Sequence, residues 1–178
     1  MATDHVNQLR YPIGQFDKAP KYSLNERQKH IEILRTLPEL IRKSVSGLRT
    51  PQLDTPYRDG GWRVRQVVHH LADSHMNGFI RHRLALTEEE PTIRPYIESA
   101  WSELPDAEAD VSLSLTLLEG LHQRWSTMLD RLTAEQFERT YIHPESGKWT
   151  LEQSVANYAW HSLHHVAHIT SLRTRNGW

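Results

Sequence analysis

At 178 residues the chain is long enough for one domain with a buried core, and its 38% hydrophobic and 24% charged residues argue against a disordered segment. A formal net charge of −1 without a long Lys/Arg run leaves no basic footprint for nucleic acid, and no stretch approaches the ~20 apolar residues of a membrane span. Zero cysteines removes disulfides and thiolate nucleophiles, so any metal must sit on imidazole and carboxylate, which suits Zn, Ni, Cu or Fe.

The opening MATDHVNQLRYPIG has no apolar core of a secretory signal, so the expected location is the cytoplasm, with neither nucleic acid nor membrane as partner. Residues 1–22, with Pro12, Gly14 and Pro20, read as an irregular lead-in to a single domain over 1–178. Ser23 and Glu26 form a capping box, and a first helix follows through Ile31, Leu34, Leu37, Leu40 and Ile41 to about Gly47, with Pro38 as a bend. LRTPQLDTPYRDGGW (48–62) is loop chemistry. A second helix is predicted from about Trp62 to Leu86. A long connection follows at 91–110, with three prolines and one short helical turn. The third helix spans about Val111 to Leu132, and Thr133 to Gln136 cap a short helix. YIHPESGKWT (141–150) reads as a turn or small hairpin. Thr150 to Gln153 form another capping box, opening a fourth long helix that stops near Asn176-Gly177. The fold class is therefore all-α, a four-helix bundle with long connections and one small hairpin, and the long connections do not assure simple up-down-up-down order.

Histidine is the unusual component. Of twelve histidines, eight lie in two helices: His69, His70, His75 and His82 in the second, and His161, His164, His165 and His168 in the fourth. His5, His30, His122 and His143 are scattered and unremarkable. A solvated helix face ordinarily uses Glu, Lys and Arg, so WHSLHHVAH (160–168) points to metal binding. Helices offer a metal two ligands from consecutive turns as an i, i+4 pair. Two such pairs exist, His161/His165 and His164/His168. Leu151, Val155, Tyr158, Val166 and Ile169 define the buried face, and His161/His165 lie along its edge, so that pair is preferred; His164 is the most outward of the four. In the second helix His75 sits within the apolar face of Val64, Val67, Val68, Leu71 and Phe79. His70 sits on a polar stripe with Gln66, Ser74, Asn77 and Arg81. Periodicity favours His75 as the interior histidine, although a polar stripe can also line a cleft; geometry alone leaves both open. His69, His75 and His82 also fit as hydrogen-bonded core histidines. No HExxH signature is present.

GWRVRQVVHHLADSHMN (61–77) and WHSLHHVAHIT (160–170) resemble the DinB/YfiT-like superfamily, close to its YfiT-type branch. The likeness extends to YPIG, QLDTPYRDGGW, RPYIESAWSEL and LHQRW, and so covers nearly the whole chain. It implies a four-helix bundle, commonly dimeric, holding one divalent metal, Zn or Ni, on three histidines. The matching positions are His70 from the second helix, directly before the Leu of the HL pair, and His161 and His165 from the last. Nothing in the sequence departs from that ligand pattern, and on this resemblance His70 displaces His75. Three imidazoles with an open fourth position form a catalytic arrangement. Asp73, His168, Glu152 and Asn157 are candidates to orient the ligands, with Asp73 alternatively paired to an arginine of its own helix.

Three functions follow. The first is a metal-dependent hydrolase of a small-molecule substrate, the activity that branch implies, in which the metal activates water. The second is an S-transferase, in which the metal activates a low-molecular-weight thiol such as bacillithiol or mycothiol. The third is a non-catalytic metal-binding homodimer. A transferase needs a basic lip, for which Arg58, Arg63 and Arg81 are available. Trp62, Trp101, Trp125, Trp149 and Trp160 could wall a pocket or fill the core. The catalytic residues themselves are not identified by sequence.

Overall fold

The computed structural model describes residues 7–178; the first six residues of the lead-in, His5 among them, lie outside the described residues. Four long helices dominate: α1 (Leu24–Val45), α2 (Val64–Thr87), α3 (Val111–Leu129) and α4 (Leu151–Asn176). A two-stranded antiparallel hairpin, β1 (Thr140–His143) and β2 (Gly147–Thr150), stands before α4, with Thr140 opposite Thr150 and His143 opposite Gly147. Short helical turns occupy Thr50–Leu53, Glu98–Trp101, Pro105–Glu108 and Ala134–Phe137. No helix among the described residues is long and apolar enough to cross a membrane.

The ends of the helices follow local chemistry. Both capping boxes form, Ser23 with Glu26 and Thr150 with Gln153, and α4 stops at Gly177, whose φ of +68° is the left-handed conformation that glycine adopts without strain. Pro38 is contained within α1. α3 ends at Leu129, three residues before the sequence expectation, because Thr133 caps the next short helix and leaves 130–132 as the joining turn. The lead-in is also more ordered than expected. Residues 7–10 form a helical turn, and the strand of chain after it lies along α4: the Gly14 carbonyl accepts from Trp160 Nε1 at 3.3 Å, and the Ala19 carbonyl accepts from Gln153 Nε2 at 3.1 Å.

Around the bundle, α1 packs on α3 and α4, and α2 packs on the same two helices, so consecutive helices α1 and α2 face each other across a diagonal. The core has two apolar layers. One joins Leu37 and Ile41 of α1, Val67, Val68 and Leu71 of α2, Leu118 of α3 and Ile169 of α4. The other joins Ile31 and Leu34, Phe79, Trp125 and Leu129, and Leu151, Val155 and Tyr158. Each layer takes early residues from one pair of helices and late residues from the other. Thus α1 and α4 run together, and α2 and α3 run together in the opposite sense. The parallel pair α2–α3 requires a long crossover, residues 88–110, which is the proline-rich connection. The buried Arg65 holds that crossover by donating to the carbonyls of Glu108 and Ala109 as well as to Asp54. Gly78 of α2 is required by packing: a Cβ there would meet the Tyr158 ring at 2.4 Å.

Candidate metal centre

Between the two apolar layers, α2, α3 and α4 place histidines instead of aliphatic residues: His75 between Leu71 and Phe79, His122 between Leu118 and Trp125, and His161, His165 and His168 between Tyr158 and Ile169. His70, His161 and His165 converge, each offering one nitrogen, with the three nitrogens all within 4.8 Å of one another. His161 Nε2 is 3.2 Å from His70 Nε2 and 3.1 Å from His165 Nε2. Two imidazole nitrogens bound at about 2.0–2.1 Å to one tetrahedral ion stand roughly 3.3–3.4 Å apart. The donor set therefore fits a divalent cation in both chemistry and spacing.

Burial keeps these ligands neutral. Desolvation, reinforced by the neighbouring His164, pushes His70 down to about 4. Desolvation first, then the surrounding histidines, pushes His161 and His165 well below the ordinary imidazole range. Neutral imidazole is the form a metal takes.

Of the polar stripe of α2, His70 lines an open cleft and Gln66 a small cavity beside it. His70, Gln66 and Ser74 are all buried, and Gln66 is fixed at both ends of its amide. Its Oε1 accepts from the Arg63 backbone N–H at 3.0 Å, and its Nε2 donates to the Ser102 carbonyl of the crossover at 2.9 Å. The histidine trio forms the floor of an open cleft of about 330 Å³, lined also by Arg10, Tyr11, Tyr57, Arg58, Trp62, Glu98 and Trp160. That volume lies within the range of small-molecule sites.

Other sequence expectations divide. His164, expected to face outward, is buried (7% exposed), because the N-terminal segment brings Tyr11 against it while Trp160 stacks on its other side. Of the candidate orienting groups, His168 reaches one of the three histidines: its Nδ1 lies 3.3 Å from His165 Nδ1, and its Nε2 bonds the Arg10 carbonyl at 3.0 Å. Glu152 instead pairs with Arg27 at 2.6 Å. Asn157 bonds none of the three histidines. Among the described residues Asp73 pairs with no arginine; desolvation raises its carboxyl to about 6 in a small cavity beside His70. Of the arginines, Arg58 lines the cleft, Arg63 is engaged by Glu108, and Arg81 donates to Tyr158 Oη at 3.2 Å. Trp62 and Trp160 wall the cleft, Trp101 lines the cavity beside it, Trp125 is fully buried core, and Trp149 stacks on Phe16 away from the histidines.

Four residues in or behind the site have no role in the sequence reading. Arg10 and Tyr11 arrive from the lead-in, where the family likeness covers YPIG but gives neither residue a role. Glu98 arrives from the crossover, and desolvation raises its carboxyl, partly countered by Arg81. His122, read as scattered and unremarkable, is 1% exposed, and its Nε2 lies 3.0 Å from His75 Nδ1. Its position one turn from Trp125 on the apolar side of α3 was the available signal.

The family model of the DinB superfamily matches residues 33–169. The chain is 53% identical over 172 residues to YfiT of Bacillus subtilis (strain 168), named a putative metal-dependent hydrolase, with 96% of this chain and 97% of that protein covered. It is 51% identical over 173 residues to a protein of the same description from Bacillus cereus (strain 03BB102), covering 97% and 100% of the two chains. The structure of Bacillus subtilis YfiT, described as a probable metal-dependent hydrolase with an unusual four-helix bundle topology, superposes with a TM-score of 0.94 over 96% of this chain and 99% of that one.

Proposed function

The chain belongs to the DinB superfamily, and from that premise we propose that it is a metal-dependent hydrolase whose single divalent ion, Zn or Ni, is held by His70, His161 and His165. The observation that carries this reading is the convergence of three imidazole nitrogens, from buried His70 and His165 and half-buried His161, on one point of an open cleft. A divalent ion held by His70, His161 and His165 would supply Lewis acidity, the chemistry that polarises a carbonyl and makes water or a thiol a stronger nucleophile near neutral pH.

The chain's own groups do the remainder. Trp62 and Trp160 exclude water from the sides of the cleft, and Arg10 and Arg58 attract an anionic part of the substrate. Glu98 is the carboxyl placed to hold or move a proton, because it lines the same cleft as the histidines and desolvation lifts it toward neutral pH. The names of the relatives above support hydrolysis.

The S-transferase reading is favoured by one feature, the two arginines at the lip, which suit a negatively charged thiol cosubstrate. A homodimer is carried over from the family resemblance, and sedimentation of the full chain tests it.

Elemental analysis of untagged protein decides the metal. About one Zn or Ni per chain is expected in the wild type, lost in His70→Ala, His161→Ala and His165→Ala. No metal after incubation with either ion overturns the reading. With metal present, turnover of simple esters or amides in the absence of any thiol supports the hydrolase. Turnover only with added thiol supports the transferase.

A further inference from the structure

Two chains of hydrogen bonds run outward from the histidine trio, and each ends on a backbone carbonyl. The first passes from His161 Nδ1 to His75 Nε2 at 3.1 Å, from His75 Nδ1 to His122 Nε2 at 3.0 Å, and from His122 Nδ1 to the Leu34 carbonyl of α1 at 2.6 Å. The second passes from His165 Nδ1 to His168 Nδ1 at 3.3 Å and from His168 Nε2 to the Arg10 carbonyl at 3.0 Å.

A carbonyl can only accept, and a neutral imidazole has one N–H and one bare nitrogen. The proton positions therefore follow from the far ends. Leu34 O accepts, so His122 carries its proton on Nδ1 and leaves Nε2 bare. His75 must then donate from Nδ1, which leaves its Nε2 bare to accept from His161 Nδ1–H. The only nitrogen of His161 left without a proton is Nε2. The same count from Arg10 O leaves His165 with Nδ1–H and a bare Nε2. His75 and His122 are 0% and 1% exposed, and burial of that degree disfavours imidazolium, so the count holds with one proton per ring. The close approach of His161 Nε2 to His165 Nε2, 3.1 Å, is then a meeting of two lone pairs with no hydrogen between them. A positive centre at that point relieves the repulsion; a proton donated from His70 Nε2, 3.2 Å from His161 Nε2, does so in part, and a cation shared by all three nitrogens does so fully.

Resting on the metal-site reading above, we propose that His75 and His122 are positioning residues: with the Leu34 carbonyl they lock His161 in its Nδ1–H form, as His168 and the Arg10 carbonyl lock His165, so that both Nε2 lone pairs are aimed at one point before any ion arrives. Both relays are neutral throughout. A carboxylate in either would have offset part of the ion's charge; these imidazoles leave it intact for an anionic fourth partner.

The experiment is histidine 15N NMR on the chelator-treated full chain near neutral pH, with zinc affinity measured by competition against a chromophoric chelator. In the wild type, His161 and His165 should show protonated Nδ1 and bare Nε2. In His75→Leu the His161 signature should become mixed, and zinc should bind about 10–100-fold more weakly. His75→Gln, whose amide both donates and accepts, should restore most of the affinity, a rescue that a purely space-filling role would not give. A wild-type spectrum with the proton of His161 on Nε2 overturns the proposal, whether or not His75→Leu folds. So does a folded His75→Leu that keeps both tautomer and affinity. Correct wild-type tautomers in a chain that binds no metal would uphold the relay and overturn the metal reading instead.

Discussion

The apolar layers and the histidine layer between them are built on the same helices and obey opposite rules. In the apolar layers, burial of Leu118, Leu71 or Ile169 stabilises in proportion to area, and neighbours can shift to accommodate a change of shape. In the histidine layer every ring nitrogen needs one particular partner, because a buried polar group left unpaired costs about 1–3 kcal/mol. The apolar layers hold the helices in register, and that register brings Leu34 O, His122, His75 and His161 into line. The site's precision thus comes from the fold, while its chemistry works against the fold's stability.

Breaking the comparison from the polar side should give the largest effect. His165→Ala should abolish both stoichiometric metal and turnover while leaving the far-ultraviolet helical signal intact, as checked by elemental analysis and circular dichroism. Next in size is the cleft carboxyl. Glu98→Gln should keep its metal and lower kcat by about 10²–10⁴-fold, the usual contribution of a proton-transfer group. An unchanged kcat would remove Glu98 from the chemistry. From the apolar side, Leu118→Ala should cost about 2–5 kcal/mol in denaturant unfolding, since Leu118 is fully buried. It should nevertheless bind metal in the folded state, so that stability and metal content separate between the two layers.

How much of this was readable beforehand follows the same division. Helices α1 and α4 were legible because Ser23, Glu26, Thr150 and Gln153 mark their starts with local chemistry and Gly177 marks the end. The apolar face of α2 was legible as a period. His75 falls on that face as its period predicts, but its partner is not readable, because His122 is 47 residues away and meets it only through the packing of α2 on α3. Periodicity also placed His164 outward, since a helical wheel cannot know that Tyr11 will return across that side. The preference for His161/His165 came from the helix itself, whereas choosing His70 over His75 needed the family resemblance. The crossover that delivers Glu98 and the lead-in that delivers Arg10 carry no period to read; RPYIESAWSEL and YPIG mark them only as parts of the family likeness, which gives Glu98 and Arg10 no role.

The smallest expected effect tests the price of burying histidine away from the metal. His82 lies in an apolar layer, fully buried, with Trp125 Nε1 donating to its Nδ1 at 3.0 Å and its Nε2 bonded to Ser154 Oγ at 2.8 Å. Indole N–H is a donor only, so His82 must keep Nδ1 bare and carry its proton on Nε2. Charging it would aim a second proton at the Trp125 N–H. Desolvation above all, with a smaller contribution from Arg81, accordingly holds it down to about 3 from an ordinary 6.5. Between those values the unfolded chain binds a proton at this residue that the folded chain refuses. Stability is therefore full above about pH 6.5 and falls as pH drops toward 3, by up to about 1.4 kcal/mol per pH unit for this one group. His82→Gln, which can still accept from Trp125 and donate to Ser154, should flatten the fall by that amount in unfolding curves measured between pH 7 and pH 5. An unchanged slope would mean that charge on His82 is tolerated in the fold, and that the apolar layer is less dry than its burial implies.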